Sequence, residues 1–327
     1  MDQSSVHSKL YTEPDLRPTR DGFGDGLVQA GEGNPNVVAL CADLTESTRV
    51  QGFADKFPER FFEMGVAEQN MLGVAAGLAM GGKIPYLASY AVFSPGRNWD
   101  QLRVSGAYSD LHIIVVGAHA GVSVGPDGAT HQALEDIAML RAVPNVSIIV
   151  PCDAEEARKA TLAAAHLDGV VYLRLAREKT PVITTEQTPF VVSNITTLVE
   201  GSDVSIITAG PLLAEALLAA RDLQSKHHIS AEVINCHTIK PLDRAGLVKS
   251  IQKTGCAVTV EEHQITGGLH GAIAELSAQE HPIPIEPVGM PNTFGESGEP
   301  VELLEKYGMT MKAIVAATMR AIARKHN

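Results

Sequence analysis

Short apolar segments alternate with helical patterns through the first half of this sequence, and this alternation restricts its fold more than any other feature. These segments lack the polar positions of a strand with one face in water, so they predict strands buried on both faces. Strands of that kind, joined by helices, predict a parallel sheet covered on both sides. They lie at residues 37–42, 84–88, 112–117, 146–150 and 170–175.

Helices are predicted between these strands, and the alternation resumes in a second, shorter region. The helices of the first region cover residues 20–30 (with Thr19 as the cap), 99–109, 131–141 and 154–166. The second region has strands and helices at residues 204–208, 212–227, 231–235, 257–260, 271–279 and 311–325. The interpretation is an α/β protein with two parallel-sheet domains in tandem. We divide it into an N-terminal arm (1–19), a first domain (20–185), a linker (186–200) and a smaller second domain (201–327).

Residues 66–80 form an unusual helical segment, because small and apolar residues fill nearly every position. A helix that is apolar all round is a buried helix. Glu68 lies in its first turn, and Leu72 follows on the same face one turn later. A carboxyl held against such a face is short of water, so it can share a proton with a nitrogen base near neutral pH. A glutamate that only complements the helix dipole is the structural alternative.

Polar residues follow the predicted strands of the first domain. Ligands bind beyond the carboxyl ends of the strands in open parallel sheets, so we expect these residues to lie together at one edge. They are Asp43, Ser47, Tyr90, Phe93, His119, Asp127, His131 and Arg177. Several glycines lie in segment 119–131, where they permit tight turns and close approach of the backbone to a ligand. Its two histidines could donate hydrogen bonds to an oxyanion or a phosphate.

Charge and cysteine usage restrict the partners and the compartment. The net charge of −12 comes without a basic stripe, so we expect neither nucleic acid nor an anionic membrane as a partner. No apolar run approaches the roughly 20 residues that span a bilayer. The four cysteines are widely separated, which predicts buried thiols in a reducing compartment and a cytoplasmic protein. No cluster of His, Asp or Glu has the spacing of metal ligands, so no metal site built by this chain is predicted.

Five segments resemble parts of the C-terminal half of transketolases, and the resemblance extends from about Arg20 to the end. Residues 65–70 resemble the segment that carries the cofactor-activating glutamate, and residues 125–132 resemble the substrate loop. Residues 42–47, 96–101 and 238–243 are similar to further segments of the family. The resemblance implies a pyrimidine-binding domain followed by a transketolase C-terminal domain.

The resemblance also implies thiamine diphosphate as the cofactor and assigns roles to the site residues. Glu68 would hydrogen-bond the aminopyrimidine ring and favour its imino form, while the cofactor performs the carbon chemistry. Phe93 and Tyr90 would line the pyrimidine pocket, and Asp43 would reach the cofactor at a subunit interface. The expected substrate-binding residues are His119 and His131, which would also be catalytic, together with Asp127, Arg20, Ser47 and Arg177; the arginines suit a sugar phosphate.

This sequence lacks the motif for the diphosphate and magnesium, which lies in the first half of a usual transketolase chain about twice as long. The resemblance therefore implies the C-terminal subunit of a split transketolase, active only with a separate diphosphate-binding subunit. We expect an α2β2 heterotetramer in which the partner mainly holds Mg2+. The activity implied is the transfer of a two-carbon ketol unit from a ketose phosphate to an aldose phosphate, as in the pentose phosphate pathway.

Other readings of the same residues stay open at this point. The β subunit of a 2-oxo acid dehydrogenase and half of a deoxyxylulose-phosphate synthase share the fold and the glutamate. The presence of Arg20, Ser47, His119 and Arg177 favours a sugar phosphate substrate. A third alternative is a binding or regulatory subunit without activity, since a fold alone does not establish a function. Glu68, Asp127 and His131 weigh against it.

Overall fold

The structure, a computed structural model, describes His7 and residues 9–326 of the chain. Its strands are β1 (Leu16–Arg17), β2 (Val37–Cys41), β3 (Phe61–Glu63), β4 (Ile84–Tyr90), β5 (Ile113–Ala118), β6 (Val146–Ile149), β7 (Val170–Arg174), β8 (Thr180–Pro181), β9 (Thr196–Val199), β10 (Val204–Thr208), β11 (Ala231–Asn235), β12 (Thr238–Lys240), β13 (Ala257–Gln264) and β14 (Ile285–Met290). Its α-helices are α1 (Thr19–Gly33), α2 (Gln51–Lys56), α3 (Glu68–Met80), α4 (Trp99–Gln101), α5 (Asp136–Arg141), α6 (Ala154–Ala164), α7 (Leu213–Asp222), α8 (Arg244–Thr254), α9 (Leu269–Glu280), α10 (Pro300–Lys306) and α11 (Met311–Lys325). The π-helical segments Leu102–Tyr108 and Leu223–His227 extend α4 and α7, and 3-10 turns lie at Pro58–Arg60 and Val122–Asp127.

The first sheet has the strand order β12-β6-β7-β5-β4-β2-β3, and all its strands are parallel except β12. Helices cover both faces. Val37 of β2 packs in a hydrophobic cluster with Phe23 of α1 and Ala157 of α6. The next residue, Val38, faces the other way and packs in a cluster with Met71 of α3. The predicted parallel sheet, buried on both faces, is confirmed.

The second sheet has the order β14-β13-β10-β11-β9, and only β9 is antiparallel to its neighbour. Helices α7 and α11 supply the apolar cluster on one face through residues such as Leu217 and Ile314. On the other face, Leu247 of α8 and Ile273 of α9 belong to the same cluster as Met71 of α3. The two domains therefore share a hydrophobic core, which holds the second domain against the first.

Several local predictions differ from the structure. The range 186–200, predicted as a linker, includes β9, which pairs with β11 of the second sheet. Strand β12 comes from the region predicted as the second domain but joins the first sheet beside β6. Helix α1 begins at Thr19, with Pro18 in the cap position. Thr19 is not the cap that was predicted, and its hydroxyl instead accepts a hydrogen bond from the Ala176 N–H. The predicted helix 131–141 begins only at Asp136. Most of the predicted arm before residue 9 lies outside the described residues.

Helix α3 is not buried on every side, which contradicts the prediction from its composition. Gly73 and Gly77 are exposed, and the exposed fraction of Met80 is 78%. Val66, just before the helix, is 69% exposed. One side of this segment, which also carries Gln69 and Asn70, is therefore open to solvent in the single chain, while Met71 and Leu72 on the opposite side are fully buried.

All four cysteines lie in the interior of the protein. Cys41, Cys152, Cys236 and Cys256 are free thiols and buried, as predicted. Burial raises the pKa of the Cys236 thiol to about 12, so it stays protonated. Within residues 9–326, no helix has the length and apolar character needed to cross a membrane.

Candidate active site

The predicted site residues lie at one edge of the first sheet, beyond the carboxyl ends of its parallel strands. Strands β7, β5, β4 and β2 are consecutive neighbours in that sheet. Asp43 follows β2, Tyr90 ends β4, His119 follows β5 and Arg177 follows β7. The topology therefore gathers into one region residues that are far apart in the sequence, as the alternation of strands and helices predicted.

Glu68 is the first residue of α3, and only 2% of it is exposed. Its surroundings are not purely apolar. Arg97 Nη1 donates to both carboxylate oxygens at 2.9 Å, and Ser89 Oγ donates to Oε1 at 3.4 Å. Glu68 is therefore short of water and also paired with a guanidinium, and Arg97 is a site residue that was not selected from the sequence.

Aromatic rings and histidines form one cluster beside Glu68. The ring centroids of Tyr90 and Phe93 are 5.9 Å apart with an angle of 18° between the planes. His119 stacks on Tyr90 at 3.9 Å, and His131 meets Phe93 edge-on at 5.3 Å. The guanidinium of Arg97 lies 4.0 Å from the Phe93 centroid and connects the cluster to Glu68. The arrangement provides flat apolar surfaces next to a carboxylate, which suits a planar heteroaromatic ligand.

His119 is a neutral hydrogen-bond donor within this cluster. Arg20 Nη1 donates to its Nε2 at 3.0 Å and to the Ser47 carbonyl oxygen at 3.0 Å. Since arginine cannot accept, Nε2 must accept and the proton must lie on Nδ1. Burial and the charges of Arg20 and Arg177 lower the pKa of His119 to about 3.

Two nitrogens of the His119–Arg20 pair form no hydrogen bond within the described part of the chain. They are the Nδ1 of His119 and the Nε of Arg20, and both are buried. A buried N–H without an acceptor is costly, so the pair is well suited to a ligand that carries acceptor oxygens. The structure thus brings together Arg20, Ser47 and His119 from the predicted substrate set.

The glycine-rich loop, defined here as residues 119–131, passes over the same edge of the sheet. Gly121, Gly125 and Gly128 have φ angles of 91°, 78° and 74°, a conformation that favours glycine. Arg177 Nη1 donates to the Val124 carbonyl oxygen at 2.6 Å, so this arginine supports the loop backbone. Asp127 lies exposed near the end of the loop. The loop therefore presents its polar side chains from a fixed backbone.

Asp43 is connected to the segment before α3 by a residue that the sequence argument did not select. The carboxylate of Glu63 accepts hydrogen bonds from the N–H groups of Asp43 and Gly65 at 2.7 and 2.9 Å, and from the Thr45 hydroxyl at 2.9 Å. No spacing rule marks Glu63. Arg97, by contrast, lies within residues 96–101, a segment singled out for its resemblance, so a signal for it was present. The Asp43 side chain is exposed.

The first sheet is thus a parallel α/β sheet with a buried carboxylate and an aromatic cluster at its carboxyl edge, where α/β proteins of this architecture bind their ligands. Residues 17–182 match the profile of the transketolase pyrimidine binding domain, and residues 193–314 match that of the transketolase C-terminal domain. The chain belongs to the transketolase family, whose domains imply dependence on thiamine diphosphate.

Several relatives of this chain are separate sections or subunits of transketolases, whereas it covers only about half of others, such as the human transketolase (35% identical over 318 residues, 96% of this chain and 50% of the relative). It is 41% identical over 309 residues to a Methanocaldococcus jannaschii protein named as a transketolase C-terminal section, covering 94% of this chain and 96% of the relative. It is 39% identical over 307 residues to the 6-deoxy-6-sulfo-D-fructose transketolase subunit of Clostridium sp. strain MSTE9, covering 94% and 95%. A solved split-gene transketolase, described as an inactive β4 tetramer, has 44% identity and a TM-score of 0.88, covering 94% of this chain and 99% of that one.

Proposed function

We propose that this chain is the C-terminal, pyrimidine-binding subunit of a split transketolase. It would transfer a two-carbon ketol unit from a ketose phosphate to an aldose phosphate, together with a separate diphosphate-binding subunit. One observation carries the proposal: the buried carboxylate of Glu68 lies beside the cluster of Tyr90, Phe93, His119 and His131. That arrangement fits the aminopyrimidine end of thiamine diphosphate in a chain of this family.

The residues present fit one end of the cofactor only. Within the described part of the chain, no group of three or more His, Cys, Asp or Glu side chains could hold a metal ion. The diphosphate and Mg2+ are accordingly proposed to be held mainly by the partner subunit, with Asp43 exposed toward the interface. Thiamine diphosphate, when bound, supplies the carbon nucleophile of the transfer. The chain supplies binding, orientation and control of protons.

Each predicted residue has a proposed task at the edge of the sheet. Glu68 accepts a hydrogen bond from the pyrimidine ring, and its pair with Arg97 fixes the direction of the carboxylate. Phe93 offers a flat surface to that ring, with Tyr90 supporting His119. His119 donates from Nδ1 to a substrate oxygen, and His131 faces the same space from the end of the loop. The proposed contacts of the sugar and its anionic group are Arg20, Ser47, Asp127 and Arg177.

The need for a partner is supported by two observations. The solved relative at 44% identity is described as an inactive β4 tetramer, so that chain does not act by itself. In the present chain, the apolar side chains of Val66 and Met80 are exposed on the open side of the α3 segment, on which Gly73 and Gly77 carry no side chain. Exposed apolar surface next to a candidate site is typical of a subunit interface. An α2β2 assembly is the proposed functional form.

The proposal is tested by measuring ketol transfer with thiamine diphosphate and Mg2+, first with this chain alone and then with a co-expressed diphosphate-binding subunit. Xylulose 5-phosphate and 6-deoxy-6-sulfo-D-fructose are compared as donors, because a relative is named for the sulfonated sugar. Both carry an anionic group that Arg20 could bind. Activity only in the mixture is the expected result. A complex that binds cofactor but transfers no ketol unit from either donor would contradict the proposal.

Replacing Glu68 by Gln tests the proposed activation of the cofactor. Gln keeps the size of the side chain, but its amide can neither take up nor release a proton near neutral pH. We therefore expect kcat to fall by roughly 10²–10⁴-fold at saturating cofactor. The measurement is kcat of the reconstituted complex, with cofactor affinity determined separately. Glu59→Gln is the matched control, because Glu59 is exposed on the turn Pro58–Arg60. Near-normal kcat in Glu68→Gln would be incompatible with the assigned role.

A further inference from the structure

A carboxylate of the second domain contacts the backbone of the glycine-rich loop directly. Glu262 lies in β13 and is 5% exposed. Its Oε1 accepts a hydrogen bond from the Ser123 N–H at 2.6 Å, although the two residues are 139 positions apart in sequence. Ser123 lies four residues after His119 in the loop. Hydrogen bonds to a charged acceptor are stronger than those between neutral groups, so this contact restrains the loop.

The loop backbone packs closely on the same carboxylate. A Cβ atom added to Gly121 would lie 2.3 Å from Glu262 Oε1, so a side chain at that position would displace the carboxylate. Gly121 also has a φ of 91°. The glycine in the loop and the glutamate in the second domain are therefore fitted to each other, a relation that no local sequence pattern reveals.

Arg174 fixes the position of Glu262 relative to the first sheet. Its Nη2 donates to the carbonyl oxygens of Glu262 and Ala133, both at 3.0 Å, and its Nε donates to Asp136 Oδ2 at 2.7 Å. Burial raises the pKa of Glu262, while its hydrogen bonds to Ser123 and the charge of Arg174 act in the opposite direction. Burying a carboxylate costs desolvation free energy that an apolar residue would not. A carboxylate at this position therefore indicates a specific role.

The other side of the loop is also held by the second domain. Gln132 Nε2 donates to the carbonyl oxygen of Val122 at 3.0 Å and to that of Glu296 at 2.9 Å. A Cβ atom on Gly128 would lie 2.5 Å from Ser297 Oγ. The loop is thus enclosed between Glu262 on one side and segment 295–300 on the other.

We propose that Glu262 is a positioning residue, through which the second domain holds the glycine-rich loop and so fixes His119 at the active site. The carboxylate binds the loop at Ser123. The loop in turn holds His119 in the position where its buried Nδ1–H has no acceptor in the described part of the chain. This gives the second domain a task in the reaction although it contributes no residue to the proposed cofactor site. The catalytic consequence rests on the proposed function, whereas the effect on the loop does not.

Amide hydrogen exchange of the unassembled chain tests the structural part. In Glu262→Ala we expect amides 121–125 to exchange roughly tenfold faster or more, because the loss of a charge-assisted hydrogen bond exposes the Ser123 N–H. Glu262→Gln keeps an acceptor oxygen and should show a smaller increase at the same amides. If Glu262→Ala does not fold, Glu262→Leu takes its place, because it fills the buried position without an acceptor oxygen: unchanged exchange at 121–125 in it would overturn the proposal.

Glu261→Ala is the matched control. Glu261 is the neighbouring buried residue of β13, and its carboxylate accepts from the N–H groups of Leu269 and His270 at the start of α9. Its removal should speed exchange at the start of α9 and leave amides 121–125 unchanged. Equal loosening of the loop in both variants would mean that the second domain acts through general packing, and the role of Glu262 would be rejected.

Kinetics of the reconstituted complex test the catalytic part. We expect Glu262→Ala to raise the KM for the sugar substrate severalfold or more, with the Gln variant restoring most of it and Glu261→Ala having little effect. An unchanged KM with a loosened loop would overturn the link to catalysis. Failure of the unmodified complex to transfer a ketol unit would reject the proposed function, and the exchange experiment would still decide whether Glu262 holds the loop.

Discussion

At the scale of single residues, the candidate site depends on polar groups whose charge and hydrogen bonds are determined by their neighbours. Arg20 selects the tautomer of His119 by donating to Nε2, and this leaves Nδ1–H buried without a partner in the described part of the chain. The same arginine, with Arg177 and burial, disfavours a second proton on the ring. His119 is therefore suited to donate one hydrogen bond and not to carry a charge.

This environment predicts a pH dependence of stability. The pKa of His119 is about 3 in the folded chain, against 6.5 in the unfolded chain, so the unfolded state binds more protons between these values. The stability that His119 contributes is complete above pH 6.5 and is lost as the pH falls toward 3. The free energy of unfolding of each protein is compared between pH 7 and pH 4.5. Its decrease in His119→Gln should be smaller than that in the original chain by roughly 2–3 kcal/mol.

The measurement is denaturation by urea at the two pH values. His326→Gln is the control, because His326 is exposed at the end of the chain, and it should decline as the original chain does. A decline in His119→Gln equal to that of the control would show that the ring is not held neutral.

At the scale of elements, the helices beside the site are placed by close backbone contacts. Helix α1 carries Arg20 and packs against α6. A Cβ atom on Gly22 would lie 1.8 Å from the Ala154 carbonyl oxygen, and one on Gly26 would lie 2.8 Å from the Arg158 carbonyl oxygen. The absence of side chains at these two glycines lets the helix axes approach, which sets the distance of Arg20 from the sheet edge.

Gly22→Ala tests this packing. The added methyl group collides with backbone rather than with a movable side chain, so we expect a loss of about 1–3 kcal/mol or more in the free energy of unfolding. Gly33→Ala is the control within the same helix, because a Cβ atom there meets nothing within 4 Å. It should be neutral or stabilising by up to about 1 kcal/mol. Equal stability of the two variants in thermal unfolding would contradict the close packing of α1 on α6.

At the scale of the whole molecule, the domains are joined by a shared apolar core and by Arg174, which also forms a buried ion pair with Asp136 inside the first domain. Arg174 and Asp136 are both nearly inaccessible, and the Tyr172 hydroxyl donates to the same carboxylate oxygen at 2.7 Å. Through the carbonyl oxygen of Glu262, Arg174 also connects β7 to the second domain. The position of the second domain and the conformation of the loop at the candidate site are therefore linked.

Arg174→Met should destabilise the chain strongly. It leaves the Asp136 carboxylate buried without its cation, which typically costs about 3–5 kcal/mol. Thermal unfolding is the measurement, with Arg158→Met as the control, because Arg158 and Glu155 form a partly exposed ion pair worth at most about 1 kcal/mol. If both variants lose the same stability, the buried ion pair contributes no more than an exposed one and the prediction is wrong.

Much of the fold was predictable because the strands bury both faces and so leave a local signal. Uninterrupted apolar segments located the central strands of the first sheet, and the parallel topology that follows from them predicted a common edge for Asp43, Tyr90, His119 and Arg177. Edge elements were harder. Strand β12 and strand β9 are short and pair with distant strands, so their residues carry no periodicity of their own.

The sequence by itself determined the fold class, a helix with Glu68 in its first turn and the glycine-rich loop, since each depends on the chemistry of neighbouring residues. Only the tertiary structure decided what those residues contact. Arg97 meets Glu68 across 29 positions, and Glu262 meets Ser123 across 139. Such pairs form because the packed sheets bring their strand ends together, and no spacing in the chain records which side chains will then be adjacent.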